Sequence, residues 1–419
     1  MRPPFSPIGG ALEEMYQRLF QSLVSEATIE TPIPQALTYL VDQMNRYGQQ
    51  IGGMTLMMRT PYPELEMVVI RWRRDDVSEA KIDAVETVRR RETLDEPVGK
   101  IEVYELSHGH SNEETYKRSP FHYAEQHPGV HLWQIQEHLD PPKFPIFKDF
   151  DARGETAYLV TNLQLPFPMA AQASLSTYAP GGFSDDFHAC VLELVPALRL
   201  AIAHKLQRLT SKTLLQSYLG SLAVDEIFQG RVLLNDLRSM RAIIGLLDVR
   251  SFTALSMENP PEVVAKLLGE LFEIVHQQLK GEGGEILKFI GDAVLFIFPI
   301  GEGDDRRVTR QALVMTERLI ESYAAIQGPL GFGIGLHIGE VRYGNIGAPQ
   351  RLDFSVLGRC VRRAEQLEQV ASQLGQTVVL SEEFVAGYGG GCKRLAEVTL
   401  SPDEGPVSIF SPEPLQARE

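Results

Sequence analysis

The sequence predicts a protein of the α/β (α+β) class, with two α/β modules joined by a helical segment. The first observation is a strand-helix-strand-strand-helix-strand order in residues 241–419, which is typical of a ferredoxin-like core. The second is a set of short β-rich runs with helical patterns around them in residues 1–184. The third is the helical periodicity of residues 185–240. These three ranges are the predicted domains.

Composition excludes several classes of protein. The 419 residues suffice for two or three domains, and 43% hydrophobic residues is an ordinary globular share that argues against wholesale disorder. A net charge of −15 with no basic stripe argues against a nucleic-acid partner. The three cysteines, Cys190, Cys360 and Cys392, are too few and scattered for a disulfide framework or a zinc site. They are typical of a reducing compartment.

The hydropathy pattern predicts no membrane span. No apolar run approaches the roughly 18 residues that crossing a bilayer requires. The start of the chain, Met1 to Phe5, lacks the basic and then apolar form of a signal peptide. We therefore expect a cytoplasmic protein.

Residues 1–184 are predicted to form a regulatory sensor domain. Helices outside a short set of strands are typical of the GAF and PAS types, which respond to a small molecule or a protein; here the input is unknown. Residues 76–150 are charged, punctuated by prolines, and predicted to be irregular. The predicted helices cover 11–27 and 35–48, and the predicted strands cover 53–59, 65–72, 157–163 and 169–177.

Six of the ten histidines lie between His108 and His138. A metal or haem site is one interpretation of this concentration. However, the spacing matches no recognised ligand pattern, and no cysteine lies nearby. Surface or loop histidines are the favoured interpretation.

Residues 185–240 are predicted to connect the two modules through a long helix, which Pro196 should kink. Its apolar face could pair with a second copy of the helix in a dimer. The alternative is that this face packs on the sensor domain of the same chain.

The strongest chemical signal lies between residues 241 and 299. An apolar strand ends on Asp248, a helical pattern follows, and Gly281 to Gly284 break the helix before a hairpin with Asp292 at its turn. Paired carboxylates suit a hard cation such as Mg²⁺, which takes one or two carboxylates and leaves room for phosphate oxygens. Backbone N–H groups around Phe252 and Thr253 could hold the phosphates. Turn capping is the alternative role for the two aspartates.

The rest of the carboxy-terminal half completes the ferredoxin-like order. A helix is predicted over 306–327, and two strands over 331–337 and 340–345 are predicted to join tightly at Ile338-Gly339. A further strand ends near Leu357, and Gly358 precedes a helix over 359–374.

Four sequence blocks resemble the class III nucleotide cyclases, the adenylate and guanylate cyclases. They occur in family order over residues 246–256, 283–293, 337–347 and 352–358. The resemblance implies a homodimer joined through the cyclase domain, with sites at its interface, and the connector helix is expected to extend the contact. It implies that Asp248 and Asp292, with Val249 beside the first, bind two ions, Mg²⁺ or Mn²⁺.

The resemblance also implies that Lys288 and Ser355 of the other chain contact the purine. An ammonium group only donates hydrogen bonds, which suits N1 of adenine, and a hydroxyl can accept one from the 6-amino group. Lys288 therefore favours ATP as the substrate.

The helix after Gly358 departs from the family pattern. Active members usually carry Asn there and Arg four residues later, and these positions hold Arg362 and Gln366. One lost preorganised donor typically raises the barrier by about 3 kcal/mol. Arg362 could restore the cation from one turn earlier.

Two functions follow as hypotheses. The first is an adenylate cyclase that converts ATP to cyclic AMP and pyrophosphate, with activity reduced by the replaced Asn and Arg. The second is a catalytically silent cyclase-like domain that binds nucleotide or dimerises as a signalling regulator. A heterodimer whose other chain supplies Asn and Arg is a further possibility. A diguanylate cyclase is disfavoured because the residues expected after Gly283-Gly284-Glu285 are absent.

Overall fold

The computed structural model describes residues 10–25, 31–59, 61–62, 65–74, 88–96, 99–166, 168–401 and 405–413. The chain divides into two compact units, Met1–Leu214 and Leu215–Glu419. Among the described helices, none combines the length and the apolar character that crossing a bilayer would need.

The described residues of the amino-terminal unit form seven strands, with helices before, between and after them. The helices are α1 (Gly10–Val24), α2 (Ile33–Arg46), α3 (Glu114–Lys117), α4 (Pro120–Gln126), α5 (Ile146–Ala152) and the start of α6 (Asp185–Leu219). The strands are β1 (Ile51–Arg59), β2 (Leu65–Arg73), β3 (Val88–Glu96), β4 (Gly99–Ser107), β5 (Val130–Gln134), β6 (Ala157–Asn162) and β7 (Ala170–Thr177). The predicted end of the first helix, at residue 27, lies outside the described residues.

The seven strands form one antiparallel sheet in the order β3-β4-β2-β1-β7-β6-β5. Successive side chains of a strand point to opposite faces, so each strand serves two cores. Leu159 of β6 belongs to the core shared with α1, α2 and α6. Its neighbours Tyr158 and Val160 pack on the opposite face, with Phe147 of α5. The sheet is therefore covered by apolar side chains on both faces.

The prediction of irregular structure over 76–150 is wrong for much of that stretch. It contains β3, β4, β5 and three short helices, while residues 76–87 lie outside the described part. In β4 the buried Ile101 and Tyr104 are interleaved with Glu102, which pairs with Arg73 of β2 at 2.7 Å. Charged residues at buried positions hid the alternation by which a strand is predicted.

The connector begins with α6, a helix of 35 residues that contains Pro196. The boundary between the two units falls inside it, at Leu214. Gly220 then separates it from a second helix, α7 (Ser221–Phe228). The connector is thus one long helix followed by a short one.

In the carboxy-terminal unit, the part of the chain that the structure describes forms eight strands and the remaining helices. The strands are β8 (Leu237–Val249), β9 (Glu285–Ile290), β10 (Ala293–Pro299), β11 (Phe332–Ala348), β12 (Arg351–Leu357), β13 (Val378–Ser381), β14 (Cys392–Val398) and β15 (Val407–Pro412). The helices that follow α7 are α8 (Phe252–Glu258), α9 (Pro261–Glu282), α10 (Asp305–Ala325), α11 (Arg359–Leu374) and α12 (Glu382–Tyr388).

The sheet of this unit has the order β14-β15-β13-β11-β8-β10-β9, and β12 pairs with β11 outside that path. The four strands β8, β9, β10 and β11, with α9 and α10 between them, give the strand-helix-strand-strand-helix-strand order. Their spatial order, β11-β8-β10-β9, completes a ferredoxin-like core. The predicted fold class is confirmed.

Both faces of this sheet are buried as well. Ile243 and Leu247 of β8 pack with α9 and α10, whereas the alternate residues Ala242 and Ile244 pack with α7 and α11. Gly245 lies opposite Phe296 of β10, where a Cβ would come within 2.1 Å of the aromatic ring. Glycine at this position lets a large buried ring lie flat against the central strand.

The two strands predicted over 331–345 form a single strand, β11, of 17 residues. The predicted tight turn at Ile338-Gly339 was wrong, because β11 pairs with β8 continuously from Phe332 to Gly344. Gly339 has a different role: a Cβ there would lie 2.7 Å from the Cys360 sulfur atom of α11. A close helix contact requires this glycine, rather than a bend in the chain.

Candidate nucleotide and metal site

Strand register places Asp292 beside Asp248. In the β8–β10 pair Val294 lies opposite Leu247, so the residue that precedes β10 meets the end of β8. Asp292 lies in the turn between β9 and β10, after Gly291, which has a φ of 66°. The structure therefore brings together the two carboxylates that the sequence predicted as metal ligands.

Asp292 adds to the energetic cost of ionising Asp248. The pKa of Asp248 is raised to about 6, mainly by burial and next by the charge and hydrogen bond of Asp292. The backbone N–H of Val249 donates to Asp248 Oδ1 at 3.0 Å, and this hydrogen bond lowers the pKa of Asp248. Within the described part of the chain, no ion pair joins either aspartate to a basic side chain.

A third carboxylate, Glu368 of α11, lies near the pair and was missed by the sequence reasoning. Gly333 of β11 lies opposite Asp248, and a Cβ on Gly333 would come within 2.7 Å of Glu368 Oε1. Glu368 is 5% exposed. Burial and then the charge of Asp248 raise its pKa to about 7, although Arg250 acts against them. The sequence did not mark Glu368 as a site residue, because a single buried acid on a helix leaves the amphipathic pattern of that helix unchanged.

The donor set at the end of β8 fits a divalent hard cation. Asp248 and Asp292 offer carboxylate oxygens, the ligand type that Mg²⁺ prefers, and one or two carboxylates with phosphate oxygens are its usual set. The raised pKa of Asp248 reflects its burial first and the adjacent charge of Asp292 second, and a bound cation would offset both. Among the described residues, no group of three or more His, Cys, Asp or Glu side chains is arranged to hold a metal. A metal ion at this position would therefore be held by two aspartates together with phosphate oxygens of the substrate.

The segment after β8 turns sharply into a short helix. Ser251 adopts the left-handed backbone conformation with a φ of 56°, and α8 begins at Phe252. Thr253 is exposed and Phe252 is half-buried. Val249 thus ends the strand that carries Asp248, and Phe252 and Thr253 lie directly beyond it.

Lys288 and Ser355 lie on β9 and β12, where Lys288 forms an ion pair with Asp353. Asp353 and Ser355 are two residues apart on one strand, so their side chains lie on the same face of β12. Asp353 was not among the predicted site residues, although it belongs to the motif that contains Ser355. The acceptor that orients the lysine could be found only from the fold.

The two α11 positions that depart from the family pattern differ in their surroundings. Arg362 is exposed, whereas Gln366 is half-buried and its Nε2 donates to the backbone oxygen of Leu400 at 2.6 Å. Gln366 therefore has a structural hydrogen bond, and Arg362 retains a cation at the surface of the helix.

The predicted residues form two separate groups along β11. Asp248 lies opposite Gly333, and Ser355 lies opposite Gly344, eleven positions further along the same strand. Within the described residues, no hydrogen bond or ion pair connects the aspartate pair with the group of Lys288, Asp353 and Ser355.

The family of this unit follows from comparison with known proteins. Residues 239–387 match the family described as adenylate and guanylate cyclase catalytic domain. The carboxy-terminal unit is a class III nucleotide cyclase domain. The match covers all four sequence blocks that carry the resemblance, so the predicted family is confirmed.

Relatives of the cyclase domain include named adenylate cyclases. The chain is 31% identical over 147 residues to adenylate cyclase 1 of Rhizobium meliloti (strain 1021), covering 33% of this chain and 22% of that protein. It is 28% identical over 151 residues to an adenylate cyclase of Anabaena cylindrica, covering 35% of this chain and 30% of the relative. The chain thus spans less than a third of the length of these relatives.

Solved cyclase structures are also similar to part of the chain. The crystal structure of the adenylyl cyclase CyaB from P. aeruginosa has 24% sequence identity and a TM-score of 0.36, covering 42% of this chain and 94% of that chain. The family and its relatives together support a nucleotide cyclase enzyme.

Proposed function

We propose that the protein is an adenylate cyclase, which converts ATP to cyclic AMP and pyrophosphate. The observation that carries the proposal is the placement of Asp292 beside Asp248 at the end of β8. Two adjacent carboxylates without a compensating cation lower the stability of a fold. Their presence therefore indicates a bound ligand that offsets their charge. The named adenylate cyclases among the relatives support this choice of reaction.

Each group of residues has a distinct role in the proposed reaction. Asp248 and Asp292 would hold Mg²⁺ or Mn²⁺, which when bound supplies charge neutralisation for the triphosphate. The backbone of Val249 and the N–H groups near Phe252 and Thr253 would support the metal and the phosphates. Lys288, oriented by Asp353, would donate to N1 of adenine, and the hydroxyl of Ser355 would accept from the 6-amino group.

The separation of the two groups along β11 supports a site shared by two chains. In a symmetric dimer the aspartates of one chain would face Lys288 and Ser355 of its partner, and each dimer would hold two equivalent sites. The connector helix α6 would extend the dimer contact. A heterodimer is the alternative assembly, in which a different chain supplies the missing Asn and Arg.

The amino-terminal unit would regulate this reaction. In this proposal, residues 1–184 are the sensor, 185–240 the connector and 241–419 the catalytic domain. An input at the sensor would change the relative stability of active and inactive arrangements of the catalytic domains.

A second candidate function is a silent cyclase-like domain that binds nucleotide and signals without turnover. The hydrogen bond of Gln366 with Leu400 favours it, because that side chain has a structural role at the position where active members carry Arg. The intact aspartate pair favours the enzyme.

The test is the conversion of Mn²⁺-ATP to cyclic AMP by the purified full-length protein. We expect measurable turnover, and a loss of about 100-fold or more in Asp248→Ala, since a ligand of the metal that would neutralise the phosphates is removed. Asp304→Ala is the matched control, because Asp304 forms an exposed pair with Arg307 of α10. Saturable ATP binding without any cyclic AMP would overturn the enzyme and favour the silent domain.

A further inference from the structure

Glu368 of α11 is an acid in the interior of the carboxy-terminal unit, and the surrounding protein does not hold its carboxylate. The residue is 5% exposed. Within the described part of the chain, its carboxylate accepts no hydrogen bond and forms no ion pair. A carboxylate in this situation loses hydration without gaining a partner, which costs stability. An unsatisfied polar group in a native interior calls for a specific cause, such as a bound ion or water.

The register of the sheet places this carboxylate beside Asp248. Asp248 of β8 lies directly opposite Gly333 of β11. Directly opposed residues of an antiparallel pair have their side chains on the same face, with Cβ atoms about 4.5–5.5 Å apart. Gly333 has no Cβ, and one at this position would lie 2.7 Å from Glu368 Oε1. The carboxylate of Glu368 therefore occupies the space next to Asp248 that a cross-strand side chain would otherwise fill.

The electrostatics agree with this placement. Burial raises the pKa of Glu368, and the charges of Asp248 and Asp292 raise it further. Arg250 acts against them, but its Nη2 donates to the backbone oxygen of Gln376 at 2.5 Å. Among the described residues, no ion pair joins Arg250 to Glu368. Arg250 thus offsets part of the charge without holding the carboxylate.

We propose that Glu368 is a positioning residue for the divalent cation, and accepts hydrogen bonds from water molecules on an ion that Asp248 and Asp292 hold. Mg²⁺ loses its water reluctantly and usually keeps several water ligands in a protein site. Groups that accept hydrogen bonds from metal ligands orient those ligands, and losing one typically costs about 10–100-fold in metal affinity. Direct ligation is not part of this role, since within the described residues no three acids are arranged to hold a metal. The inference rests on the proposed metal site but not on turnover.

The test is Mn²⁺ binding to the full-length protein at pH 8 without nucleotide, followed by electron paramagnetic resonance, in which the sharp signal of free Mn²⁺ is lost on binding. Glu368→Gln keeps the shape of the side chain and removes its charge. We expect this change to weaken Mn²⁺ binding about tenfold or more. Glu365→Gln is the matched control, because it removes the same charge from an exposed position of the same helix. It should bind Mn²⁺ as the natural protein does, since solvent screens a charge at the surface.

Gly333→Ala tests the position of the carboxylate without removing it. The new Cβ would lie 2.7 Å from Glu368 Oε1, the far end of a flexible side chain, so the carboxylate must move away. We expect Mn²⁺ affinity to fall about tenfold in this variant. In the Glu368→Ala background the same change should have no further effect, because the group that it displaces is absent. An equal loss in both backgrounds would show that Gly333→Ala acts on Asp248 directly, and would overturn the inference.

Circular dichroism melting of the metal-free variants separates this role from a structural one. The melting temperature of Glu368→Gln should not fall, because the change removes a buried charge that has no partner. Unchanged Mn²⁺ affinity in Glu368→Gln, or a loss of affinity together with a lower melting temperature, would overturn the inference. If Glu368→Gln fails to fold, Gly333→Ala in the two backgrounds decides.

Asp248→Ala distinguishes a failure of this inference from a failure of the proposed site. Weakened Mn²⁺ binding in Asp248→Ala with full affinity in Glu368→Gln would overturn the role of Glu368 alone. Absence of saturable binding in the natural protein, or full affinity in Asp248→Ala, would overturn the metal site and this inference together. Cyclic AMP is not measured, so a protein that binds the ion without turnover still supports the role of Glu368.

Discussion

Asp248 combines a functional position with an unfavourable environment. Its pKa is raised to about 6 by burial and by Asp292, compared with 3.8 for a free aspartate. Above pH ~6 the folded state therefore holds a charge that the unfolded state accommodates better. Below pH ~4 the side chain is protonated in both states. The resulting destabilisation is present at neutral pH and is lost as the pH falls.

Asp248→Asn should therefore raise the melting temperature at pH 7.5 but not at pH 4. We expect a gain of about 2–4 °C, the shift that 1 kcal/mol produces in a domain of this size. Differential scanning calorimetry at the two pH values measures it. Mn²⁺ should stabilise the natural protein more than the variant. Asp304→Asn is the control and should show no gain at pH 7.5, because Arg307 lowers the pKa of Asp304. An equal gain at both pH values would contradict this account.

The α11 positions determine how much turnover remains. The double variant Arg362→Asn, Gln366→Arg restores the residues that active family members usually carry. We expect kcat to rise about 100-fold or more, since each transition-state donor typically contributes about 3 kcal/mol. The measurement is the steady-state rate of cyclic AMP formation from Mn²⁺-ATP.

Arg362→Ala separates the contribution of the cation already present. If Arg362 acts on the phosphates from one turn earlier, this change should reduce turnover about tenfold or more. Arg359→Ala, at an exposed position near the start of the same helix, is the control. Unchanged turnover in Arg362→Ala would remove Arg362 from the proposed site.

At the scale of elements, Glu285 connects the short helix α7 to the strand that carries Lys288. Its carboxylate accepts hydrogen bonds from the backbone N–H of Leu222 at 3.0 and 3.1 Å. Gly220 makes room for this contact, because a Cβ there would lie 2.2 Å from Glu285 Oε1. A carboxylate at the start of a helix satisfies free N–H groups and complements the helix dipole.

Glu285→Ala should lower the free energy of unfolding by about 1–2 kcal/mol, because it leaves the Leu222 N–H without its acceptor. Urea titration followed by circular dichroism measures the change. Glu397→Ala is the matched control: both Glu397 and its partner Arg394 are exposed, and such pairs contribute about 0–1 kcal/mol. A smaller loss in Glu285→Ala than in the control would show that the cap is unimportant.

The same scale shows how far the sequence could predict the structure. The ferredoxin-like order was predictable because its strands and helices have distinct periods and are separated by glycine-rich turns. The prediction divided β11 in two because Gly339 was interpreted as a turn. Glycine is needed there because the sulfur of Cys360, more than twenty residues away in the chain, packs against the strand. Asp248 and Asp292 were predictable as strand-end acids. Asp353 and Glu368 were not, since their roles depend on neighbours that only the folded chain brings close.

At the scale of the whole molecule, a site shared between chains predicts complementation. Asp248→Ala and Lys288→Ala should each lose activity, because each homodimer lacks one half of both sites. A mixed dimer has one complete site, so an equimolar mixture should recover about a quarter of the natural activity if chains exchange freely.

Co-expression of the two variants, followed by a cyclic AMP assay, measures the recovery. Co-expression of Asp248→Ala with Asp292→Ala is the control and should recover nothing, because both changes affect the same half of the site. Recovery in the control, or none in the test pair, would contradict a site built from two chains.

β11 also has a consequence for how the carboxy-terminal unit opens. It pairs with β8 along most of its length, with β13 near its start and with β12 near its end. Freeing the whole strand would break three ladders, and residues 334–336 and 342–344 are paired on both sides. Its amide hydrogens should therefore exchange with deuterium only through the rarest, most complete opening, while those of the terminal strand β14 exchange through local fraying.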